Sequence, residues 1–479
     1  MSVLDRPFQP LVEELRPAPA VEDAFERLVH LDHCLFLDSA VVHPALGRYS
    51  FLAADPVVYW QVPVAAGGDE DLWHRLAAEL APLHTPAVPG VPPFQGGAGV
   101  FLSYDLHHRI EDIACPAWDE FQVPAMAVAV YDLVVAWDHA QQRAWMISQG
   151  LPHRDPARRT DHAARRLDAM RRTLAAPRAV RGSRPQCAAL RPEQLAPQHA
   201  GPWPGLTSSF SEEGYLRAVR RVIDYIGAGD VFQVNLSQRL LHRATCDAGE
   251  LYLRVRRANP APFAGYFDLG RQQIVSASPE RFLRVDQGHV ETRPIKGTRR
   301  RCGDRELDQA VAQQLRSSPK DRAENVMIVD LLRNDLSRAC RPESLRVSQL
   351  CEVEAYEHVL HLVSAVRGRL CAGLGSLDLV RAAFPGGSVT GAPKIRAMEI
   401  IAELEPTARG AYCGCLGYVG LDGSLDLNIL IRTITAAAGW WQAPVGGGIV
   451  TQSIPTVEYQ ETWDKAEGLL QAMDSGAGG

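Results

Sequence analysis

The sequence predicts a large protein of mixed α and β structure, made of two substantial domains or one large composite. The chain has 479 residues, more than one hydrophobic core usually supports. Short apolar segments separated by turns fill its first half, whereas capped helices alternate with strands in its second half. With 46% hydrophobic and 22% charged residues, the composition is that of an ordinary globular enzyme.

Charge and hydropathy argue against two classes of protein. The net charge of -6 argues against nucleic-acid binding. No apolar run approaches the roughly 20 residues that span a bilayer, and the start of the chain is too charged for a signal peptide. We therefore expect a cytoplasmic protein with no membrane partner. The ten cysteines form no Cys-x-x-Cys pair, so we interpret them as reduced core residues.

Residues 1–150 are predicted to form an N-terminal region built on a mixed sheet with few helices. Residues 72–83 have helical periodicity. Strand-like patterns occupy residues 35–37, 48–52, 99–102 and 127–131. No group of catalytic residues stands out in residues 1–150.

Residues 151–207 are predicted to be a basic helix followed by a Pro-rich connector. Arginine pairs at 158/159, 165/166 and 171/172 recur at near-heptad spacing, which places a basic face on one helix. Because the whole chain is acidic, a solvated face is favoured over a nucleic-acid site. Residues 177–204 are rich in proline and are predicted to connect the two halves.

Residues 208–475 carry the patterns of a catalytic domain. Ser209 and Glu212 fit a capping box, followed by a helical stripe that ends at Gly229. The next segment alternates apolar residues with polar Gln233 and Asn235, which predicts a strand with one polar face. That face lines either solvent or a pocket.

A lysine lies in the run of residues 292–298. A proline precedes Lys296 and a glycine follows it, which favours an edge or bulged strand, and period two places Thr292 on the same face. A predicted hairpin turn at residues 286–288 would bring Glu280 close to Lys296. Such a pair is more commonly a salt bridge; the alternative is a general acid beside a nucleophile.

Three carboxylates lie on two predicted helices. One helix begins at Ser318 and places Glu324 on its apolar stripe. The last helix places Glu458 and Glu461 one turn apart, with Lys465 four residues after Glu461. Ion pairing is the ordinary interpretation of such residues. Together, however, the three carboxylates suit a hard divalent cation such as Mg²⁺.

Two glycine-rich segments invite anion binding. Residues 384–394 precede a helix, but the spacing to Lys394 misses the P-loop pattern. Their backbone amides still favour an anion at the helix N-terminus. Residues 446–448 are three consecutive glycines, and there an anion nest and a flexible hairpin turn are equally favoured.

Six motifs in the same order resemble those of the chorismate-utilising enzymes. This family includes the component I chains of the anthranilate and aminodeoxychorismate synthases, and the isochorismate and salicylate synthases. The resemblance covers residues 209–473 strongly and the first half in outline. The motifs are residues 230–233, 278–282, 294–298, 323–335, 391–398 and 459–462.

The resemblance implies an α+β fold of large antiparallel or mixed sheets packed as a sandwich, with helices outside. Within the family, aminodeoxychorismate synthases carry lysine at the position of Lys296, where anthranilate synthases carry alanine. The implied reaction is amination of chorismate to 4-amino-4-deoxychorismate, for p-aminobenzoate and folate synthesis. Lys296 would attack C2 of the ring, Glu280 would protonate the leaving 4-hydroxyl, and ammonia would then add at C4 and expel the lysine.

The resemblance also assigns the other site residues. Glu324 and Glu461 would bind Mg²⁺, with Glu458 close to the metal, and His361 would lie beside the reacting edge of the ring. The remaining substrate-binding positions would be Thr292, Ser388, Tyr412, Arg432, Gly446, Gly448 and Lys465.

A separate glutaminase subunit is the expected source of ammonia, because nothing in the chain resembles a glutaminase. In some family members the first half binds tryptophan, and residues 37–39, 48–49 and 124–126 lie in the comparable regions. Two alternatives remain: an anthranilate-forming component I, weakened by Lys296, and an inactive regulatory subunit that binds chorismate or tryptophan.

Overall fold

The computed structural model describes residues 8–41, 46–64, 71–177, 188–301, 303–355 and 359–474. Its strands are β1 (Leu11–Leu15), β2 (Leu35–Asp38), β3 (Tyr49–Ala53), β4 (Val58–Val62), β5 (Gly97–Leu102), β6 (Met126–Tyr131), β7 (Leu133–Asp138), β8 (Arg143–Ser148), β9 (His199–Ala200), β10 (Thr207–Ser208), β11 (Gln233–Arg243), β12 (Phe263–Asp268), β13 (Gln272–Ser278), β14 (Arg281–Asp286), β15 (His289–Thr292), β16 (Ile295–Arg300), β17 (Arg346–Ala355), β18 (Val359–Arg369), β19 (Gly391–Ala392), β20 (Cys415–Gly420), β21 (Leu425–Asn428), β22 (Thr433–Ala437) and β23 (Trp440–Ile449).

The helices cover the outer faces and the ends of the sheets. They are α1 (Val21–Leu28), α2 (Leu72–Leu80), α3 (Pro156–Ala175), α4 (Glu212–Ala228), α5 (Ala248–Ala258), α6 (Arg305–Ser317), α7 (Pro319–Ser337), α8 (Ser376–Ala383), α9 (Lys394–Leu404) and α10 (Pro455–Asp474). No helix in the described ranges combines the length and the apolar character needed to cross a membrane.

Two large antiparallel sheets form the body of the molecule. The 13-stranded sheet runs β1-β8-β7-β3-β2-β12-β13-β22-β23-β11-β10-β9, and β19 pairs with β11. The 10-stranded sheet runs β16-β18-β15-β14-β21-β20-β5-β6-β4, and β17 pairs with β18. The predicted α+β sandwich is therefore confirmed.

Strands from both halves of the chain lie side by side in both sheets. In the larger sheet Phe36 of β2 pairs with Tyr266 of β12, and in the smaller sheet Phe101 of β5 pairs with Leu416 of β20. The two halves thus share one framework. The three-part division of the sequence at residues 150 and 207 stays a prediction.

Strand β6 shows how the layers are built. Met126, Val128 and Val130 face the cluster under α2 and α8, whereas Ala127 and Ala129 face the cluster between the sheets. Both faces are buried, so the strand is an uninterrupted apolar run and not an alternating one. A third cluster packs α1, α3, α5 and α10 on the outer face of the larger sheet.

Most predicted elements are present with small shifts. The expected strands of the first half correspond to β2, β3, β5 and β6, and the expected helix to α2 with a following 3-10 turn. The predicted capping box at Ser209 is wrong, because Ser211 caps α4 by accepting from the Gly214 amide at 3.1 Å. Ser318 caps α7 as predicted. The expectation that the cysteines are core residues holds for Cys34, Cys340, Cys351, Cys413 and Cys415, but it is wrong for exposed Cys115 and for partly exposed Cys246 and Cys371.

Helix α3 has the predicted basic face, but neighbouring groups occupy much of it. Arg159 is buried and donates to the Gln149 carbonyl at 2.6 Å. Arg166 pairs with Asp132 at 3.3 Å, and Arg171 pairs with Glu13 at 2.5 Å. These contacts dock α3 onto the first half of the chain.

A buried ion pair joins the segment before β20 to the larger sheet. Arg409 and Glu405 are 3% and 6% exposed, and their closest N···O distance is 2.7 Å. Arg409 also donates to the carbonyls of Asn235 at 2.6 Å and Val389 at 3.1 Å. Glu405 accepts from the amide and the hydroxyl of Ser237 at 2.7 and 2.9 Å.

Replacement Arg409→Met should lower the free energy of unfolding by about 3–5 kcal/mol, because it leaves Glu405 charged and buried without its partner. Urea unfolding followed by circular dichroism measures the change. Arg217→Met is the matched control, since Arg217 and Glu213 form a pair of the same spacing at 2.7 Å on the exposed face of α4. That change should cost less than about 1 kcal/mol. Equal costs would contradict the structural role of the buried pair.

Candidate functional site

A cavity of about 1000 Å³ opens between the ends of the two sheets and helices α7 and α10. The segment between β13 and β14 supplies Glu280, and β16 supplies Lys296. Of the other residues predicted for the site, the lining includes Glu324, His361, Ser388, Tyr412, Arg432, Gly446, Gly448, Glu461 and Lys465. Thr292 and Glu458 are not part of the lining.

The hairpin of β14 and β15 brings Glu280 and Lys296 together as predicted. Arg284 pairs with Glu291, and the turn residues Gln287 and Gly288 both have positive φ, 48° and 76°. Two successive positive φ values make a type I′ turn, which matches the twist of the flanking strands. The short hairpin returns the chain from Glu280 to the edge of the cavity.

A bulge aims Lys296 into the cavity. The pairing of β16 with β18 shifts register between Ile295 and Thr298, and Gly297 between them has a φ of 82°. A Cβ on Gly297 would lie 2.9 Å from Leu315 and 3.0 Å from the Asp321 carboxylate. Glycine is therefore required there, and the predicted bulged edge strand is confirmed.

The same irregularity separates Lys296 from Thr292. Thr292 is buried, and its hydroxyl donates to the Phe282 carbonyl at 2.7 Å. The expectation that both residues share one face of a regular strand is wrong, because period two does not continue through a bulge. Thr292 holds the hairpin and does not reach the cavity.

Glu280 has the environment of a carboxylic acid that keeps its proton. It is 5% exposed. Burial raises its pKa to about 7, while the nearby Lys296 acts in the opposite direction. Its backbone is fixed by the Ile429 amide, which donates to the Glu280 carbonyl at 3.0 Å.

Lys296 has the complementary environment. Burial lowers the pKa of its amine, and the attraction of Glu324 and Glu280 opposes this change. The amine donates to the Ser388 carbonyl at 3.2 Å. No ion pair joins Lys296 to a carboxylate among the described residues, so the salt bridge favoured by local sequence is absent there. A lowered pKa favours the uncharged amine, and the uncharged amine is the form that acts as a nucleophile.

Glu324 of α7 and Glu461 of α10 both line the cavity. Burial raises the pKa of Glu324. Burial acts in the same direction on Glu461, but Lys465, Lys320 and Lys296 outweigh it, so the pKa of Glu461 is lowered. The predicted pair of Glu461 and Lys465 is present at 2.7 Å.

The stripe predicted for α7 is rotated by one residue. The fully buried positions are Asn325, Ile328, Val329, Leu332, Asp335 and Leu336. Glu324 is only half-buried and lies at the rim, where it reaches the cavity. The polar residue that α7 buries is Asn325, whose side-chain oxygen accepts from Ser364 and whose amide donates to Leu362 at 3.4 Å.

Glu458 lies behind the cavity wall. It is 3% exposed, accepts from the Ser453 hydroxyl at 2.6 Å and lies 3.6 Å from the Lys320 amine. Among the residues that the structure describes, oxygens of Glu324, Glu458 and Glu461 do not all come within 4.8 Å of one another. The donor set that faces the cavity is thus Glu324 and Glu461. Two carboxylates suit Mg²⁺, which usually takes one or two protein carboxylates and completes its shell with water and substrate oxygens.

His361 and Arg432 also line the cavity, and His361 lies on β18, the strand that pairs with β16. Burial lowers the pKa of His361 to about 4, and the charge of Arg432 acts in the same direction. The imidazole is therefore neutral at neutral pH. Arg432 has a positive φ of 50°, and no described carboxylate forms an ion pair with it. Its guanidinium is available for an anion in the cavity.

The two glycine-rich segments have roles that differ from those predicted. Gly446, Gly447 and Gly448 lie in the middle of β23, paired with β11, so neither the anion nest nor the hairpin turn is correct. A Cβ on Gly446 would lie 2.4 Å from the Leu236 carbonyl oxygen, and a Cβ on Gly448 would lie 2.7 Å from the Gln233 side-chain nitrogen, so glycine at these two positions avoids clashes with β11. A Cβ on Gly447 would make only ordinary contacts, 3.4–3.6 Å, with the charged atoms of Lys465, Glu461 and Glu458 on α10. Lys465 donates to the Gly446 carbonyl at 2.9 Å.

Lys394 does not face the cavity. It pairs with buried Asp335 at 2.8 Å and donates to the Ala383 carbonyl at 2.8 Å, which ties α9 to α7 and α8. The loop before it still contributes Ser388 and Val389 to the lining. The anion predicted for this segment would therefore be met by Ser388 and the loop backbone.

Sequence reasoning did not assign several polar residues of the lining, among them Lys320 and Asn235. Lys320 was recognised only as part of a helix start, although it reaches Glu458 from the first turn of α7. Asn235 lies on the polar face of β11, and the choice between solvent and pocket is settled in favour of the pocket. The alternation of Gln233, Asn235 and Ser237 was the available signal.

A second cavity of about 240 Å³ lies in the first half. Its lining includes Leu37, Asp38, Ser39, Arg48 and Tyr49, whereas residues 124–126 are not part of it. Asp38 pairs with Arg256 at 2.6 Å, and Arg48 pairs with Asp138 at 2.7 Å. Arg281 and Asp426 of the lining pair with each other at 2.9 Å, and Arg284 pairs with Asp286 at 3.1 Å. All five charged groups of this lining are thus already in ion pairs within the protein.

The chain is similar to known proteins over most of its length. Residues 46–471 match the model of the chorismate binding enzymes. The chain is 39% identical to aminodeoxychorismate synthase component 1 of Salmonella typhimurium, over 95% of this chain and 96% of the relative. It is 41% identical to anthranilate synthase component 1 of Thermus thermophilus, over 82% and 80%. The crystal structure of anthranilate synthase component I from Streptococcus pneumoniae superposes with a TM-score of 0.73 at 32% identity, covering 89% of this chain and 93% of that one.

Replacement Glu280→Gln tests the raised pKa. Between the ordinary value of 4.5 and about 7, the folded state holds a proton that the unfolded state has lost, so stability falls as the pH rises through this window. Glutamine removes the effect. The free energy of unfolding falls between about pH 5 and about pH 8, and this fall should be smaller in the variant than in the parent by up to about 3 kcal/mol. Urea unfolding at the two pH values measures the difference. Exposed Glu343→Gln is the control and should leave the pH dependence unchanged; a parent-like dependence in Glu280→Gln would contradict the assignment.

Proposed function

The chain belongs to the chorismate binding enzymes, and from this membership we propose that it aminates chorismate to 4-amino-4-deoxychorismate, the precursor of p-aminobenzoate in folate synthesis. Identity does not separate the two activities found among its relatives, since the values are 39% for the aminodeoxychorismate synthase and 41% for the anthranilate synthase. The observation that carries the proposal is half-buried Lys296, whose amine lines the cavity beside Glu280 and has a lowered pKa.

Lys296 is proposed as the nucleophile. Its neutral amine attacks C2 of the chorismate ring while the 4-hydroxyl leaves from C4. The bulge at Gly297 gives the amine its direction, and burial favours its neutral form. Ammonia then adds at C4 and expels the lysine, which regenerates the free amine. The replacement of the hydroxyl by ammonia thus proceeds in two steps, through a covalent intermediate with Lys296.

Glu280 is proposed as the acid for the departing hydroxyl. With a pKa of about 7, it carries a proton in a large fraction of molecules at neutral pH and gives it up readily. A hydroxide ion would be a poor leaving group, whereas a protonated hydroxyl leaves as water. The hairpin that places Glu280 next to Lys296 therefore supplies both groups that the exchange requires.

The remaining lining suits a ring with two carboxylates. Arg432 and Lys465, which both line the cavity, are proposed to bind one carboxylate, with Ser388 and the backbone at Gly446 and Gly448 supplying further contacts. Tyr412 and neutral His361 are proposed to lie against the ring. An imidazole without charge can donate one hydrogen bond without repelling the neighbouring arginine.

Mg²⁺ is proposed as the cofactor. Glu324 and Glu461 would hold it, and Glu458 would support Lys320 from behind the wall. The ion would supply positive charge to one substrate carboxylate. Without the metal, the positive charges of Lys296, Lys320 and Lys465 act on these two carboxylates. If Mg²⁺ neutralised the carboxylates, the lysine charges would become available to the substrate.

A separate glutaminase subunit is proposed to supply the ammonia. Several relatives are named as component 1 of a synthase, which is consistent with a second component. Tryptophan binding in the first half, and a cytoplasmic location, stay predictions. The smaller cavity contains the expected residues 37–39 and 48–49, but the charged groups of its lining are already in ion pairs.

Product analysis tests the function and its alternatives. The parent, Lys296→Ala and Lys296→Arg are each incubated with chorismate, Mg²⁺ and ammonium, with and without the lyase that releases p-aminobenzoate. We expect the parent to form aminodeoxychorismate and both variants to lose at least about 100-fold in rate, equivalent to about 2.7 kcal/mol of transition-state stabilisation. Arginine keeps the charge but cannot act as the nucleophile. Arg217→Met, on the exposed face of α4, should keep the parent rate.

Three outcomes would contradict the proposal. Fluorescent anthranilate formed by the parent without lyase would assign the anthranilate-forming reaction. Chorismate binding without turnover would assign a regulatory subunit. Unchanged amination by Lys296→Ala would exclude the lysine as nucleophile.

Metal removal tests the carboxylate site. Chelation with EDTA should abolish turnover and added Mg²⁺ should restore it. Glu461→Gln removes one anionic ligand, so we expect the Mg²⁺ concentration at half-maximal rate to rise at least about tenfold. Exposed Glu343→Gln should not change it. Full activity of the parent in EDTA would sink the assignment of Mg²⁺.

A further inference from the structure

Three potential metal ligands lie together outside the main cavity, on the 3-10 helix Tyr104–Arg109 that follows β5. A carboxylate oxygen of Asp105 and one ring nitrogen each of His107 and His108 lie within 4.8 Å of one another. Residues three apart eclipse on a 3-10 helix, so Asp105 and His108 stand on the same side. The tight turn thus gathers three donors over four residues.

Both histidines are held in the state that binds metals. The Nδ1 atom of His107 lies 2.8 Å from the Tyr104 carbonyl, and that of His108 lies 3.2 Å from the Ile113 carbonyl. A carbonyl only accepts, so each Nδ1 must carry the proton and each Nε2 keeps its lone pair. Metal-binding histidines are typically fixed through the second nitrogen in this way.

The same cluster contains buried polar atoms that the protein leaves unsatisfied. His107 is 3% exposed, and its Nε2 has no hydrogen-bond partner among the described residues. Asp105 is 4% exposed and accepts from the Gly410 amide at 2.8 Å, but no described lysine or arginine pairs with it. A buried carboxylate without a cation is costly. A bound cation would satisfy both groups.

The space beside these groups suits a single ion. Asp105, His107 and His108 line a small cavity of about 20 Å³, together with Glu405 and Arg409. That volume holds about one water-sized particle. Two imidazoles and one carboxylate favour zinc and related transition metals over Mg²⁺ or Ca²⁺, which prefer oxygen donors.

We propose that Asp105, His107 and His108 bind a divalent transition-metal cation of the zinc class, at a site separate from the carboxylates of the main cavity. The bound ion would fix Asp105, which holds the Gly410 amide. Gly410 follows Arg409, whose guanidinium binds the Asn235 and Val389 carbonyls at the cavity wall. The site would thus brace the wall from behind.

The test is zinc binding by the intact chain, with Mg²⁺ in excess to occupy the oxygen-donor site. Chelator-treated parent is titrated with Zn²⁺ and analysed for bound metal by atomic emission, and Co²⁺ is used as a spectroscopic substitute. We expect one tightly bound Zn²⁺ per chain. His108→Gln and Asp105→Asn should each weaken binding at least about tenfold. Asparagine can still accept from the Gly410 amide, so Asp105→Asn should keep the fold, which the melting temperature without zinc verifies.

His33→Gln is the matched control. His33 is also half-buried, with its Nδ1 3.1 Å from a backbone carbonyl, but it lies outside the cluster, so its variant should bind zinc like the parent. Failure of the parent to retain zinc, or parent-like binding by both cluster variants, would overturn the proposal. Loss of zinc from Glu324→Gln instead would place the ion in the main cavity and overturn it as well. None of these readouts depends on chorismate turnover.

Discussion

The buried pair of Arg409 and Glu405 fixes the wall of the main cavity. Glu405 holds Ser237 of β11 through two hydrogen bonds, and Arg409 holds the carbonyls of Asn235 and Val389. The Arg409 guanidinium also lies 4.6 Å from the centre of the Tyr104 ring. Because the pair is fully buried, it cannot relax toward solvent, and the strand and the turn that supply lining residues must keep one relative position.

Within that fixed wall, one physical cause sets the protonation of both groups that are proposed to react. Burial disfavours charge, so it raises the pKa of the Glu280 acid and lowers that of the Lys296 amine. An ordinary surface salt bridge would move both values the other way and would leave a charged lysine that cannot attack. The absence of a direct ion pair between them, within the described residues, is therefore the arrangement that proton transfer and nucleophilic attack require.

Local pattern predicted the elements well and long-range packing less well. The hairpin at residues 286–288 and the bulge beside Lys296 follow from glycine and proline placed near the chemistry, so sequence was sufficient. The place of Gly446–Gly448 inside β23 was not predictable, because these glycines pair with β11, about 200 residues earlier in the chain, and a Cβ on Gly446 or Gly448 would clash with that strand. Likewise, Glu324 moved off the predicted stripe because Asn325 finds partners on β18 that no local pattern reveals.

The use of lysine in this chain follows from the same logic. Only four of its 50 basic residues are lysines: Lys296, Lys320, Lys394 and Lys465. Three of them line the main cavity, and the fourth ties α9 to α7 behind it. Arginine serves everywhere else, as in the pairs that dock α3, where a permanent charge is sufficient. Arginine cannot lose its proton in a protein, whereas a buried lysine can, so the nucleophile proposed at position 296 has to be a lysine. The compact ammonium groups of Lys320 and Lys465 balance Glu458 and Glu461 without the rigid fork of a guanidinium.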